Sequence, residues 1–244
     1  MNSKMIVDDI QKCLKKLRLN SHIGQMSEKI KAESNQEYLL KLLQQEVERR
    51  EETKRQRLIK AAGFYTIKSF EAFRFDEVTL PEQVSPSYLK NLEFLEAKTN
   101  IVMYGNVGTG KTFLSIALGM EACKRGILTK FFRTSALVNI LAEAKKSGEL
   151  SAFMKKLSKV EFLICDEWGY VPLERVGAQL LFEVVSECYE KKSLIINTNI
   201  EFSRWVNIFY DEQMTGAIID RLLHHCHLLL FPGPSHRIKE SPLI

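Results

Sequence analysis

The run Gly105-Asn106-Val107-Gly108-Thr109-Gly110-Lys111-Thr112 limits what this chain can become more than any other stretch. It matches GxxxxGK[ST] at every fixed position. Its glycines let the backbone turn sharply around phosphates with the N–H groups inward. A helix starting near Gly110 aims the positive end of its dipole at them. Lys111 is expected to reach β- and γ-phosphate oxygens, and Thr112 to give a hydroxyl to Mg2+. An apolar strand, Asn100–Tyr104, precedes the loop, and a helix over 111–125 follows it. The cradle is read as Gly105 through Phe113, and the expected ligands are ATP and Mg2+.

Downstream, Glu161-Phe-Leu-Ile-Cys-Asp166-Glu167 is an apolar strand ending in two acids. Asp166 at the strand end can reach the Mg2+ shell. Glu167, beyond it, can orient and polarise an attacking water. Two acids can also cap a strand by accident, but after a phosphate loop they point to hydrolysis. A kinase, which must exclude water, has less use for Glu167.

The next strand, Leu194-Ile-Ile-Asn197-Thr198-Asn199, ends in amides at the sheet edge where ligands sit. An amide there can bond the γ-phosphate or the lytic water. Asn199 is favoured and Asn197 second, with a turn-forming Asn as the plain alternative. Phosphoryl transfer also calls for an arginine on the equatorial oxygens. Candidates are Arg204, Arg221 and Arg237. Arg221, on a predicted helix before the last strand, is preferred over a role in a solvated ion pair.

His224, His225, Cys226 and His227 invite a metal reading. Four consecutive ligand types cannot all face one ion from a regular helix or strand. Helix-end and core roles are expected instead of zinc. The five cysteines are widely spaced without a CxxC, so reduced, mostly buried thiols are expected.

Strands alternating with helices from residue 88 onward predict an α/β fold, a parallel sheet with helices on both faces. Residues 1–63 are expected to form a basic helical domain, 64–87 a connector that packs on the body, and 88–244 the core. Helix is expected throughout 5–61, where Gly and Pro are nearly absent and Leu40, Leu43 and Val47 form a stripe. The first 70 residues hold 15 Lys and Arg against 9 Asp and Glu, leaving 20 against 21 in the rest. That asymmetry suits an anionic polymer bound by the N-terminal part. Arg50, Lys54 and Arg57 fall on one face, and scarce aromatics there favour duplex phosphates or a protein partner over single strands. A solvated helix face explains some of these charges whatever the function. Hydrophobic residues at 45% and charged residues at 27% exclude disordered and collagen-like classes. No apolar run reaches the roughly 18 residues of a membrane span, and the N-terminus lacks a signal-peptide core. A cytoplasmic protein without a membrane partner is expected.

The chain resembles the AAA+ ATPases of the IstB family, helpers of an insertion-sequence transposase and relatives of DnaC-type helicase loaders. The resemblance lies in Lys68–Phe75, Tyr104–Leu114, Ala117–Lys124, Asn197–Trp205 and Asp220–His225. The most specific block is Asp166-Glu-Trp-Gly-Tyr-Val-Pro-Leu-Glu-Arg-Val-Gly-Ala-Gln-Leu-Leu-Phe182. It implies a basic helical N-terminal domain, an AAA+ P-loop core and assembly on double-stranded DNA. It also implies handover of that DNA to an IstA-like transposase. Lys111, Thr112, Asp166, Glu167 and Asn199 match the family's ATPase roles. Arg221 matches a finger reaching a neighbouring subunit's nucleotide. Asn197 stands where Thr or Ser is usual. No full helical lid is expected after Arg237, which puts a sensor role for that residue in doubt.

The combined expectation is an ATP-hydrolysing homo-oligomer, a ring or helical filament, that assists transposition. A helicase loader is the main rival, and a small-molecule P-loop kinase is the second.

Overall fold

The computed structural model describes residues 3–27, 29–170 and 173–239. The chain divides into two compact units, Met1–Gln56 and Arg57–Ile244. None of the described helices is long and apolar enough to cross a membrane.

The first unit holds α1 (Ser3–Lys16), α2 (His22–Ser27) and most of α3 (Asn35–Ala62). The expected continuous helix is therefore broken twice. After α1, Arg18 takes a left-handed φ of 53°, and the Asn20 side-chain oxygen accepts the His22 N–H at 2.9 Å. Before α3, Ser34 Oγ accepts the Glu37 N–H at 3.1 Å while the Glu37 carboxylate accepts the Glu33 N–H at 2.8 Å. This resembles a capping box, with the carboxylate reaching one residue farther back than the cap Ser34. Such side chains compete for backbone donors, which apolar periodicity does not register.

The second unit begins with the connector. Phe64, Phe70, Phe73 and Phe75 pack against one side of the core. Ser85 caps α4 (Pro86–Asn91) by accepting the Tyr88 N–H at 3.0 Å, with Pro86 preset for the first turn. Left-handed Leu92 separates α4 from α5 (Glu93–Glu96), where a single helix over 87–97 is expected. There follow β1 (Asn100–Gly105), α6 (Lys111–Lys124), β2 (Thr129–Arg133), α7 (Thr134–Lys146), α8 (Leu150–Leu157) and β3 (Phe162–Trp168). The chain then forms α9 (Arg175–Cys188), β4 (Ser193–Thr198), α10 (Val206–Phe209), α11 (Glu212–Leu223), β5 (Cys226–Phe231) and α12 (His236–Lys239). The five strands are parallel in the order β2-β3-β4-β1-β5.

Alternation along the strands feeds two cores. Phe162 and Ile164 of β3, Ile195 of β4, and Ile101 and Met103 of β1 pack with α6 and the connector. Leu163, Cys165, Leu194, Ile196 and Val102 pack with α7, α9 and α11. Asp166 and Asn197 continue the first series, so both belong to the α6 side. Strict alternation would send Glu167 into the second core. Instead the β3–β4 register slips between Cys165 and Trp168, and Glu167 adopts a left-handed φ of 57°. Trp168 takes the buried place in the second core and Glu167 is exposed. A bulge of this kind re-aims one side chain at the cost of a ladder bond. Trp168 is buried with its ring tilted 39° to Trp205 at 5.5 Å, and burying a side chain of this size contributes about 1.5–3 kcal/mol or more, set against the lost ladder bond and an indole N–H without a partner.

Candidate active site

The phosphate loop joins β1 to α6. A Cβ on Gly105 would lie 2.3 Å from the Phe231 carbonyl oxygen, so the neighbouring edge strand β5 demands glycine there. Gly108 has a φ of 80°, and its Cβ would lie 2.1 Å from Ser235 Oγ. Thr109 is buried and donates to the Asn106 carbonyl at 2.8 Å, closing the turn, whereas Val107 is exposed. Lys111 Nζ donates to the carbonyls of Gly105 at 2.7 Å and Asn106 at 2.6 Å. Burial lowers its pKa to about 8; the Asp166 carboxylate opposes that shift and the Arg237 guanidinium adds to it.

Thr112, the next residue of α6, donates its hydroxyl to both Asp166 oxygens, at 3.0 and 3.1 Å. Asp166 is almost fully buried, with an exposure of 3%. Its carboxylate also accepts from Asn197 Nδ2 at 2.9 Å, and its backbone carbonyl accepts from Thr134 Oγ1 at 2.8 Å. Ser115, one turn past Lys111 on α6, donates to Asn197 Oδ1 at 2.9 Å. Glu167, at the bulge, is exposed instead. Arg133 Nε lies 3.8 Å from Glu167 Oε2, and the same guanidinium sits 5.2 Å from the Tyr65 ring centroid. Burial raises the Tyr65 phenol, and the Asp166 charge raises it further.

A cavity of about 790 Å³ opens beside the loop, between Gly108–Phe113, the connector residues Tyr65, Lys68 and Phe73, and the C-terminal pair His236 and Arg237. Phe73 packs 5.6 Å from Phe113, and Lys68 Nζ stands 4.7 Å from the Phe113 ring centroid. His236 N–H donates to the Gly108 carbonyl at 3.0 Å, and its ring lies 2.7 Å from the Glu77 carboxylate. The lining thus joins the aromatic rings of Tyr65, Phe73 and Phe113 to the cations Lys68, Lys111 and Arg237 and to the loop backbone.

A family profile described as "IstB-like ATP binding protein" matches residues 12–243. The chain belongs to this family. A protein of Pseudomonas aeruginosa named for ATP binding in insertion sequence IS21 is 35% identical over 93% of this chain and 87% of its own length. Its counterpart in IS5376 of Geobacillus stearothermophilus is 35% identical over 86% of this chain and 84% of its own. Among solved structures, AMPPCP-bound DnaA from Aquifex aeolicus superposes with a TM-score of 0.53 at 22% identity, covering 70% of this chain and 52% of that one. The DnaC helicase loader superposes with a TM-score of 0.50 at 22% identity, covering 62% and 94%. These likenesses establish the AAA+ fold. Membership in the IstB-like family establishes an ATP-binding protein of the insertion-sequence type.

The other expected residues of this IstB-like chain are more scattered. Asn199 is exposed one residue beyond β4, whereas Asn197 is buried against Asp166. Arg221 on α11 lies over the Phe182 ring of α9, 5.0 Å from its centroid, and donates to the Ala217 carbonyl at 2.9 Å. Arg204 is exposed in a short 3-10 turn, Phe202–Arg204. Arg237 borders the cavity with the loop. Arg50 is paired with Glu46 at 2.7 Å, while Lys54 and Arg57 are exposed on α3. Exposed Glu190, His224 and His225 bring ligand atoms within 4.8 Å of one another. His227 instead turns to Tyr88 Oη at 3.2 Å, and burial lowers its pKa. Cys123, Cys165 and Cys188 are buried free thiols, and burial pushes Cys188 up to about 12.

Sequence reasoning missed Arg133, Tyr65 and Ser115. The signal for Arg133 was its place at the end of the strand beside the acid strand, where it pairs in register with Asp166. Tyr65 and Ser115 had no motif to mark them.

Proposed function

We propose that this protein hydrolyses ATP with Mg2+ and uses the cycle to assemble on double-stranded DNA and assist an IstA-like transposase. The observation that carries hydrolysis is the phase slip after Asp166, which joins one acid to Thr112 and turns the next outward. The donor set suits Mg2+, because a hydroxyl and a carboxylate 3.0 Å apart are both hard oxygen ligands. Thr112 and Asp166 would hold the ion, which when bound neutralises charge building on the phosphate oxygens.

The chain's own groups divide the remaining work. Lys111 exchanges the Gly105 and Asn106 carbonyls for phosphate oxygens. Backbone N–H groups of the loop hold the phosphate chain, and the Phe73–Phe113 wall takes the nucleoside. Glu167 orients the attacking water and takes up its proton. Asn199, exposed at the strand end, bonds the γ-phosphate. Arg221 leaves the Phe182 face to complete the site of a neighbouring subunit, in a head-to-tail contact that builds a ring or filament. Exposed Lys54 and Arg57, with Arg50, contact duplex phosphates.

The insertion-sequence names of the relatives support the transposition reading. The likeness to DnaC keeps a helicase loader as the second reading. Sizing the protein with ATP, alone and with duplex or single-stranded DNA, tests both. Growth in mass that needs ATP and duplex together is expected. Growth on single strands alone would favour the loader, and an ATP-indifferent monomer would overturn the assembly.

A further inference from the structure

Asn197 lies in the interior of the sheet with an exposure of 1% and is paired in register with Met103 of β1. A primary amide buried this deeply costs stability unless both ends are bonded. Here both ends are bonded, and the partners dictate which way the amide points. The Asp166 carboxylate can only accept, so Nδ2 faces it at 2.9 Å. Oδ1 is then left to accept from Ser115 Oγ, also at 2.9 Å. Asn197 therefore ties the first turns of α6 to the end of β3 through two bonds.

The effect on Asp166 is asymmetric. Its Oδ1 accepts from both Asn197 at 2.9 Å and Thr112 at 3.0 Å, while Oδ2 receives only the longer share of the Thr112 hydroxyl, at 3.1 Å. A carboxylate turns easily about its last torsion, which is broad and nearly two-fold. Thr112 alone touches both oxygens and would not choose between them. The Asn197 donor does choose, and it leaves the Oδ2 lone pairs as the open ones. Ser115 has a second acceptor in the Lys111 carbonyl at 2.9 Å. Loss of the amide would thus fall on Asp166 and leave α6 bonded.

We propose that Asn197 is a positioning residue for the divalent ion, fixing the rotation of the Asp166 carboxylate so that Oδ2 faces the metal. This rests on the nucleotide reading above, with Thr112 and Asp166 as the ion's holders. Asn197 itself touches neither nucleotide nor ion. Groups that orient a metal ligand typically change metal affinity about 10–100-fold when removed.

The test is equilibrium binding of a fluorescent nonhydrolysable ATP analogue across a Mg2+ titration, with no turnover required. Asn197→Leu keeps the volume and removes the donor. It is expected to bind the analogue in EDTA within about twofold of wild type and to need at least about tenfold more Mg2+ for half-maximal tightening. Ser115→Ala, which loosens the far end of the amide while sparing the fold, is expected to shift the Mg2+ midpoint in the same direction by a smaller factor. Wild-type Mg2+ midpoints in both variants would overturn the proposal. So would an equal loss of affinity with and without Mg2+, which marks a merely structural role. A wild-type protein that bound no analogue would overturn the nucleotide reading and this inference with it.

Discussion

Lys111 Nζ donates to the carbonyl oxygen of Gly105, 2.7 Å away across the loop they bracket. The ammonium is held at the mouth of the loop by backbone oxygens that a phosphate would replace one for one. Lys111→Ala removes that cation and leaves the glycine turns intact. ATP affinity should fall by at least about 100-fold, since charge-assisted contacts to phosphate are among the strongest single bonds a site makes. Calorimetric titration checks this, and retained tight binding would contradict the cradle.

Burial lowers the Lys111 pKa to about 8 from an ordinary value near 10.5. A triphosphate binds the ammonium and raises that pKa again. Between the two values, binding must therefore take up a proton. ATP affinity should be flat below about pH 8 and decline above it, by up to about tenfold per pH unit. Lys111→Arg stays charged over this range and should lose the slope. Folding without nucleotide has the opposite sign. The buried base is destabilising when charged, so stability gains as pH rises through about 8.

Glu167 is exposed at the bulge with Arg133 Nε 3.8 Å from its carboxylate, so it can be neutralised without unpairing a buried group. Glu167→Gln should bind ATP like wild type and hydrolyse it at least about 100-fold more slowly, within the range for loss of a general base. The DNA-bound assembly should then persist. Wild-type turnover in a phosphate-release assay would remove the role assigned to Glu167.

Arg221 rests on Phe182 within its own subunit and on its own helix carbonyl. If it serves a neighbour, Arg221→Ala and Lys111→Ala damage different halves of a shared site. Each alone should be inactive, and a mixture should regain a fraction of wild-type turnover. No recovery on mixing would place Arg221 outside catalysis.

Charge reversal at Lys54 and Arg57 should weaken duplex binding and flatten its salt dependence, by about 0.9 log units per lost phosphate contact. Arg50→Glu should add less, because its guanidinium already has Glu46 at 2.7 Å. Fluorescence anisotropy over a salt series measures both, and an unchanged slope would move the DNA contact elsewhere.

The glycine loop, its strand and its helix were readable from spacing alone, because the left-handed turns at Gly108 and Gly110 and the helix that follows are written in consecutive residues. The same holds for the apolar strands and for the acids ending one of them. Helix limits were less readable. In the first unit, the side chains of Asn20, Ser34 and Glu37 capture backbone N–H groups, and hydrophobic periodicity carries no trace of that competition. In the body, the short helix α8 lies between the expected helix over 135–146 and β3 without a motif to announce it.

Asp166 and Glu167 show where local information ends. Their neighbourhood in the chain marked them as acids of a phosphate site. That one is buried against Thr112 and the next is exposed follows from a slip in pairing between β3 and β4, which neither strand encodes alone. Asn197 reaches Asp166 from 31 residues away, and Arg133 pairs in register with Asp166 across β2 and β3. Sheet order and register made these meetings. Short-range sterics write a turn into consecutive residues, whereas a buried hydrogen bond between strands exists only once packing has chosen which faces meet.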